Sequence, residues 1–187
     1  MIEGPGNEIV LENLPNSKIV DNKFDDLVDQ KVNYILGKPI EVKTDHEEIV
    51  KIFDRGMHRT LLNIGMDSYI GGKGYLYPYL SDGKVAFKRL KPEQVIPYWH
   101  DEEHTILDAF VYLYDVEIYN YAGTRDKVMY VEFYTPSRVS YYVYQNGTLS
   151  INTDRESQSY INMGNEWYDW GQTPLICFKG NHIEQPL

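Results

Sequence analysis

Hydrophobic residues recur every three or four positions between residues 24 and 35: Phe24, Leu27, Val28, Val32 and Ile35 share one face at helical spacing. Asp25, Asp26, Asp29, Gln30 and Asn33 fall away from it, so an amphipathic helix is predicted. Asp21 or Asn22 can cap its first turn, the early carboxylates suit the positive end of the helix dipole, and Gly37 followed by Pro39 supplies a stop. A second helix is predicted from about Asp45 to Gly65. Ile49, Ile52, Phe53, Leu61 and Ile64 keep the stripe, and Thr44 or Asp45 with Glu47 and Glu48 forms the cap. Ahead of both, residues 1–17 have turn composition and predict a loose lead-in.

From Tyr69 onward the period drops to two and β-branched and aromatic residues rise. Ser81-Asp82-Gly83-Lys84 and Gln145-Asn146-Gly147-Thr148 read as tight hairpin turns, because Asp-Gly and Asn-Gly tolerate the positive φ that a type I′ turn needs. The segment Phe110 to Tyr119 places Phe110, Tyr112, Tyr114, Val116 and Ile118 on one face and Val111, Leu113, Asp115, Glu117 and Tyr119 on the other, with one face buried. Further strands are predicted at Val128–Thr135 and Val139–Gln145. The expected fold is therefore α+β: two N-terminal helices, over about 18–66, followed by a mostly antiparallel β-rich meander over about 67–179, together one region of 1–187. Eleven of the 17 tyrosines follow residue 100. Tyrosines on strands either offer an amphipathic contact surface or simply fill half-exposed positions.

At 187 residues the chain can bury its own core, and its net charge of −10 argues against a surface built to neutralise a phosphate backbone. The acidity is concentrated after residue 100. The single cysteine, Cys177, lies in the apolar run Leu175-Ile176-Cys177-Phe178, where a buried, inert thiol is expected. No signal-peptide pattern and no long apolar run is present, so no membrane partner is expected.

Little in the chain suggests chemistry. His100-Asp101-Glu102-Glu103-His104 fits the inverted zincin pattern H-x-x-E-H, but zinc would need both imidazoles one helical turn apart. The strand-like flanks instead predict an exposed loop. Gly71-Gly72-Lys73-Gly74 hints at a phosphate cradle, yet Asp67 and Gly74 stand where a P-loop needs glycine and Ser or Thr, so a flexible helix-to-strand connection is expected. Cys177 has only His182 near it in sequence. The adjacent carboxylates Asp25-Asp26, Glu47-Glu48 and Glu102-Glu103 read as solvated faces. No catalytic, cofactor-binding or metal-binding residue is assigned, and no cofactor is expected.

The ordered motifs carry more. Leu27 to Pro39 resembles, with one exchange at Ile35, the helix "LVDQKVNYLLGKP" of portal proteins of tailed phages that infect Gram-positive bacteria. Gly74 to Tyr79 and Phe87 to Pro97 resemble that family's "G.AYLYVY … FKRIPPEEIIPI" run, and Trp170 to Asn181 resembles its "IPIIPFKNN" element, with Gly180 in place of an asparagine. Pro78 inside a strand also departs from the pattern. The resemblance implies a wing-like region of a structural, non-enzymatic subunit, with the stem, clip and crown outside these residues. It implies a dodecameric ring of copies of itself at a capsid vertex of the virion, assembled in the host cytoplasm. Capsid and scaffold proteins would be its partners, and terminase and a head-tail adaptor would dock through segments beyond Phe178. DNA would pass through the ring without binding this piece tightly, and the piece alone would be monomeric. Two other readings stay open: a Tyr-rich β-module that binds carbohydrate or peptide in an aromatic groove, and a zinc hydrolase built on His100 and His104.

Overall fold

A computed structural model describes residues 23–119, 123–155 and 170–181, together with the backbone of 2–4, 7–9 and 158–159. The predicted α+β class holds, with three helices rather than two among the described residues. Helix α1 spans Lys23–Leu36, α2 spans Glu47–Ile52 and α3 spans Arg55–Gly71. The predicted second helix breaks at Asp54, whose extended backbone and side chain cap α3: its Oδ1 accepts from the Met57 N–H at 2.8 Å. An aspartate is a better start than interior residue, because its short carboxylate satisfies an otherwise orphaned N–H. Residue His46, not Thr44 or Asp45, occupies the N-cap of α2, with no side-chain bond, while the Thr44 hydroxyl accepts from the His46 N–H. The expected caps Asp21 and Asn22 lie outside the described residues.

Helix α3 runs past the predicted stop at Gly65. That glycine is a contact point, since a Cβ there would sit 3.0 Å from a Leu36 methyl and 3.1 Å from a Val32 methyl. Val28 and Val32 of α1 are buried against this helix, whose own buried residues are Met57, Leu61, Ile64 and Ser68. Tyr69 to Gly71, expected to begin the period-two region, stay helical until Gly72 closes α3 with a left-handed φ of 77°.

The N-terminal segment is not wholly loose: β1 (Ile2–Gly4) pairs antiparallel with β2 (Asn7–Ile9). Beyond α3, strand β3 (Lys73–Ser81) lies between β4 (Lys84–Leu90) and β11 (Ile176–Lys179) in a three-stranded sheet. After a 3-10 turn at Pro92–Gln94, strands β5 (Val95–Trp99), β6 (Leu107–Tyr119), β7 (Arg125–Tyr134), β8 (Arg138–Gln145) and β9 (Thr148–Ile151) form the predicted antiparallel meander. A short β10 (Gln158–Ser159) joins the outer edge of β8. Both predicted turns form, with positive φ at Asp82 and Gly83 and at Asn146 and Gly147. Pro78 is accommodated because β11 pairs only with Lys73 to Leu76, which leaves the Pro78 stretch of β3 bonded to β4 alone.

The two larger sheets face each other across the core. Tyr75 and Leu90 from the three-stranded sheet pack with Val95, Phe110, Tyr112, Tyr134, Val139 and Tyr141 from the meander. The other side of the three-stranded sheet meets α3, where a Cβ on Gly74 would come within 2.8 Å of Ser68 Oγ, the Ile64 carbonyl and an Ile64 methyl. A bidentate pair ties α3 to β4, with the Arg89 guanidinium donating to the Asp67 carboxylate at 2.5 and 2.6 Å. The Asp67 hydrogen bond holds the Arg89 pKa above its ordinary value. Lysine cannot reproduce that planar fork, so Arg89→Lys is expected to cost about 1 kcal/mol in a urea titration, with the fold retained. Among the described residues no helix is long and apolar enough to cross a membrane.

Candidate functional site

Period two along β7 puts Val128, Tyr130, Glu132 and Tyr134 on the core side, and one of the four is a carboxylate. Glu132 is only 5% exposed. Burying a carboxylate is expensive unless donors replace its water. Three donors do so: Tyr114 Oη at 2.9 Å, Tyr134 Oη at 2.5 Å, and Arg155 at 2.5 Å from the loop after β9. The guanidinium also donates to Tyr114 Oη at 3.2 Å and lies 3.9 Å from the Tyr141 ring centre. Across the interface, Lys88 of β4 sits 4.7 Å from the Tyr112 ring centre, and Tyr77 meets Tyr134 edge-on at 5.0 Å. Phe110 and Tyr134 stack at 4.4 Å.

Tyr77, Lys88, Tyr114, Glu132, Tyr134, Tyr141 and Arg155 line a cleft of about 450 Å³ with Tyr79, Leu80 and Trp170. Aromatic walls are what the carbohydrate or peptide reading anticipated, but the cleft also holds a central carboxylate. The carboxylate, however, is engaged by the protein's own donors, and Arg155 is held over Tyr141, so the cluster works as an internal clamp between β6, β7, β8 and the 152–155 loop. Burial pushes the hydroxyls of Tyr134 and Tyr114 far above the ordinary tyrosine range, Tyr77 and then Glu132 adding to the first and Glu132 to the second. Burial raises Tyr112 and Tyr141 as well. Burial opposes the charge of Arg155, but the facing Glu132 outweighs it and leaves the Arg155 pKa raised.

A tyrosine whose folded pKa exceeds its unfolded value of 10 lends stability that is whole below pH 10 and is lost as pH rises further. Phenolate absorbance should therefore appear in two steps on alkaline titration. Fully solvated phenols ionise first, near pH 10, and these four ionise later, at higher pH. A single step near pH 10 with the fold intact would contradict the burial of the cluster.

The sequence-level candidates do not converge. His100 and His104 lie in the predicted loop between β5 and β6, with His100 Nδ1 3.2 Å from Asp108 and His104 stacked on Trp99 at 5.1 Å. The chain there is a turn with His104 at a φ of 55°, so the helical spacing that zinc would need does not exist. Asp101 instead organises the loop, its carboxylate accepting from the Thr105 hydroxyl, the Thr105 N–H and the Ile106 N–H. Those bonds, the Thr105 hydroxyl first, lower its pKa from 3.8 to about 2. The contribution of a group lowered in this way is present above the unfolded value and is lost as pH falls through about 2. The Thr105 and Ile106 amide resonances should shift with a midpoint near 2, and a midpoint near 4 would mean the loop is open.

The Gly71 to Gly74 stretch is the expected helix-to-strand connection: Gly72 ends α3, β3 starts at Lys73, and the Gly72 carbonyl accepts from the Gly180 N–H at 2.9 Å. Cys177 is half-buried beside the core rather than fully buried, and His182 lies outside the described residues. Asp25, Asp26, Glu47, Glu48, Glu102 and Glu103 are exposed, as expected of solvated faces. Sequence reasoning passed over Glu132 and Arg155. For Glu132 the signal was a carboxylate in an apolar row of strand positions, whereas Arg155 had none.

A sequence model of the family described as phage portal protein, SPP1 Gp6-like, matches residues 11–185. The portal protein of Bacillus phage SPP1 is 21% identical over 192 residues, covering 96% of this chain and 36% of the relative. The chain thus spans little more than a third of the length of that curated relative.

Proposed function

Because this chain belongs to the SPP1 Gp6-like family of phage portal proteins, we propose that it is the wing-like region of a portal subunit, one structural part of a ring at a capsid vertex. Copies of the full-length protein assemble as a dodecamer through which DNA is packaged and later ejected. The ring also forms the head-tail connection. At the level of the family the protein is structural rather than catalytic. The observation that carries this reading is the family match over residues 11–185, which contains the Leu27 to Pro39, Phe87 to Pro97 and Trp170 to Asn181 motifs.

In this reading residues 1–187 form one region that supplies subunit and capsid contacts, with scaffold protein alongside during assembly in the host cytoplasm. Stem, clip and crown, with the docking sites for terminase and the head-tail adaptor, belong to the rest of the polypeptide. The net charge of −10 supports weak DNA contact. Electron microscopy of the intact gene product tests the proposal, since annular particles are expected and their absence would refute it. A gel-shift series in rising salt should show no tight complex between the 187-residue chain and duplex DNA near physiological ionic strength.

A further inference from the structure

The chain carries two apolar surfaces that its described residues leave uncovered. One is on α1, where only Val28 and Val32 are buried against α3, so that Phe24, Leu27, Tyr34 and Ile35 form a second stripe beside the packed one. Leu27 is 57% exposed and Ile35 is 63% exposed. The other is the outer face of the six-stranded sheet. The pairing register puts Ile96 and Tyr98 of β5, Leu113 of β6, Val131 of β7, Tyr144 of β8 and Ile151 of β9 on the face opposite Phe110, Glu132 and Tyr134. Tyr98 is 50% exposed and Ile151 is 70% exposed.

The two surfaces cannot meet within one chain. α1 packs on α3, α3 packs on the three-stranded sheet, and that sheet packs on the inner face of the meander, so the exposed surfaces lie at opposite ends of the stack. Each lacks what the other has. An apolar sheet face is ordinarily covered by a helix, and an apolar helix stripe by a neighbouring layer. The dimensions also agree: a helix of 14 residues is about 21 Å long, and five strands side by side span about 19 Å.

We infer that the α1 stripe of one copy docks on the outer sheet face of the next. The two patches differ, so the contact is head-to-tail, the kind that propagates from subunit to subunit and closes into a ring when the rotation permits. This inference rests on the portal reading and adds the surfaces through which adjacent wings touch.

Single-cysteine variants in a Cys177→Ala background provide the test. Tyr34→Cys on α1 and Tyr144→Cys on the sheet, each placed in the intact gene product, are treated with a short bis-maleimide, separately and as a co-expressed mixture of the two. The mixture should yield at least about tenfold more cross-linked dimer than either variant alone, as a heterologous contact requires. Adding Leu27→Glu and Ile35→Glu to the Tyr34→Cys chain, with unchanged circular dichroism, should remove that product. Dimer in the Tyr34→Cys sample alone would mean a two-fold contact and would overturn the inference. Cross-linking in none of the samples would also overturn it, whether the chain is monomeric or another part of the longer polypeptide covers the sheet. Annular particles of the intact gene product without the mixed cross-link refute this contact only, whereas absence of such particles refutes the portal reading beneath it.

Discussion

Replacing Gly180 with alanine is expected to lower stability by about 3 kcal/mol or more, a large share of the 5–15 kcal/mol that holds a typical domain together. The Gly180 N–H donates to the Gly72 carbonyl at 2.9 Å, and next to it the Ser68 hydroxyl donates to the Ile64 carbonyl at 2.7 Å and to the Phe178 carbonyl at 3.3 Å. These bonds draw the backbone of β11 against α3. A Cβ on Gly180 would lie 1.8 Å from the Ser68 carbonyl oxygen and 2.4 Å from its carbonyl carbon. No side-chain rotation relieves a collision with helix backbone, so either β11 leaves the sheet or α3 bends. Gly123→Ala is the control: that glycine has a φ of 76° and nothing within 4 Å, so the added backbone strain costs only roughly 1 kcal/mol of stability. Urea midpoints measure both. Equal midpoints would show that β11 does not approach α3 this closely. Asparagine, which the resembling family element carries at this position, should be tolerated no better than alanine.

Arg155→Met is expected to cost about 2 kcal/mol, because it leaves the Glu132 carboxylate buried with only tyrosine hydroxyls as donors. Breaking a fully buried pair costs about 3–5 kcal/mol. Arg155 is 44% exposed, so water reaches the site and moderates the loss. Replacing both partners, as Glu132→Leu with Arg155→Met, removes the stranded charge as well as its partner. The double variant should therefore be more stable than the sum of the single losses requires, by about 1–2 kcal/mol in a double-mutant cycle. Strict additivity would mean that Arg155 does not hold Glu132 in solution and that the 152–155 loop swings free.

Much of the local architecture was legible from neighbouring residues. The stripe of α1, the positive-φ turns at Asp82-Gly83 and Asn146-Gly147, the loop at His100 to His104 and the antiparallel meander each depend on residues within a few positions of one another. Motif order from Leu27 to Asn181 carried the family as well. Within the helical half, local pattern misled at two places. Asp54 looked like an interior residue and Gly65 looked like a stop, because capping and close packing can override a continuous stripe.

Taken alone, the sequence determined where helices and strands alternate, which strands follow one another through tight turns, and which family the chain resembles. Tertiary structure decided which apolar residues are buried, dividing the α1 stripe into a packed edge of Val28 and Val32 and an open edge of Leu27 and Ile35. It also decided that Gly74 and Gly180 mark backbone contacts with α3, and that Arg155 reaches Glu132 across 23 positions of chain. The physical reason is one of range. Periodicity and the sign of φ are fixed by short-range sterics, whereas burial, close approach and charge pairing depend on how distant segments register once the layers have packed.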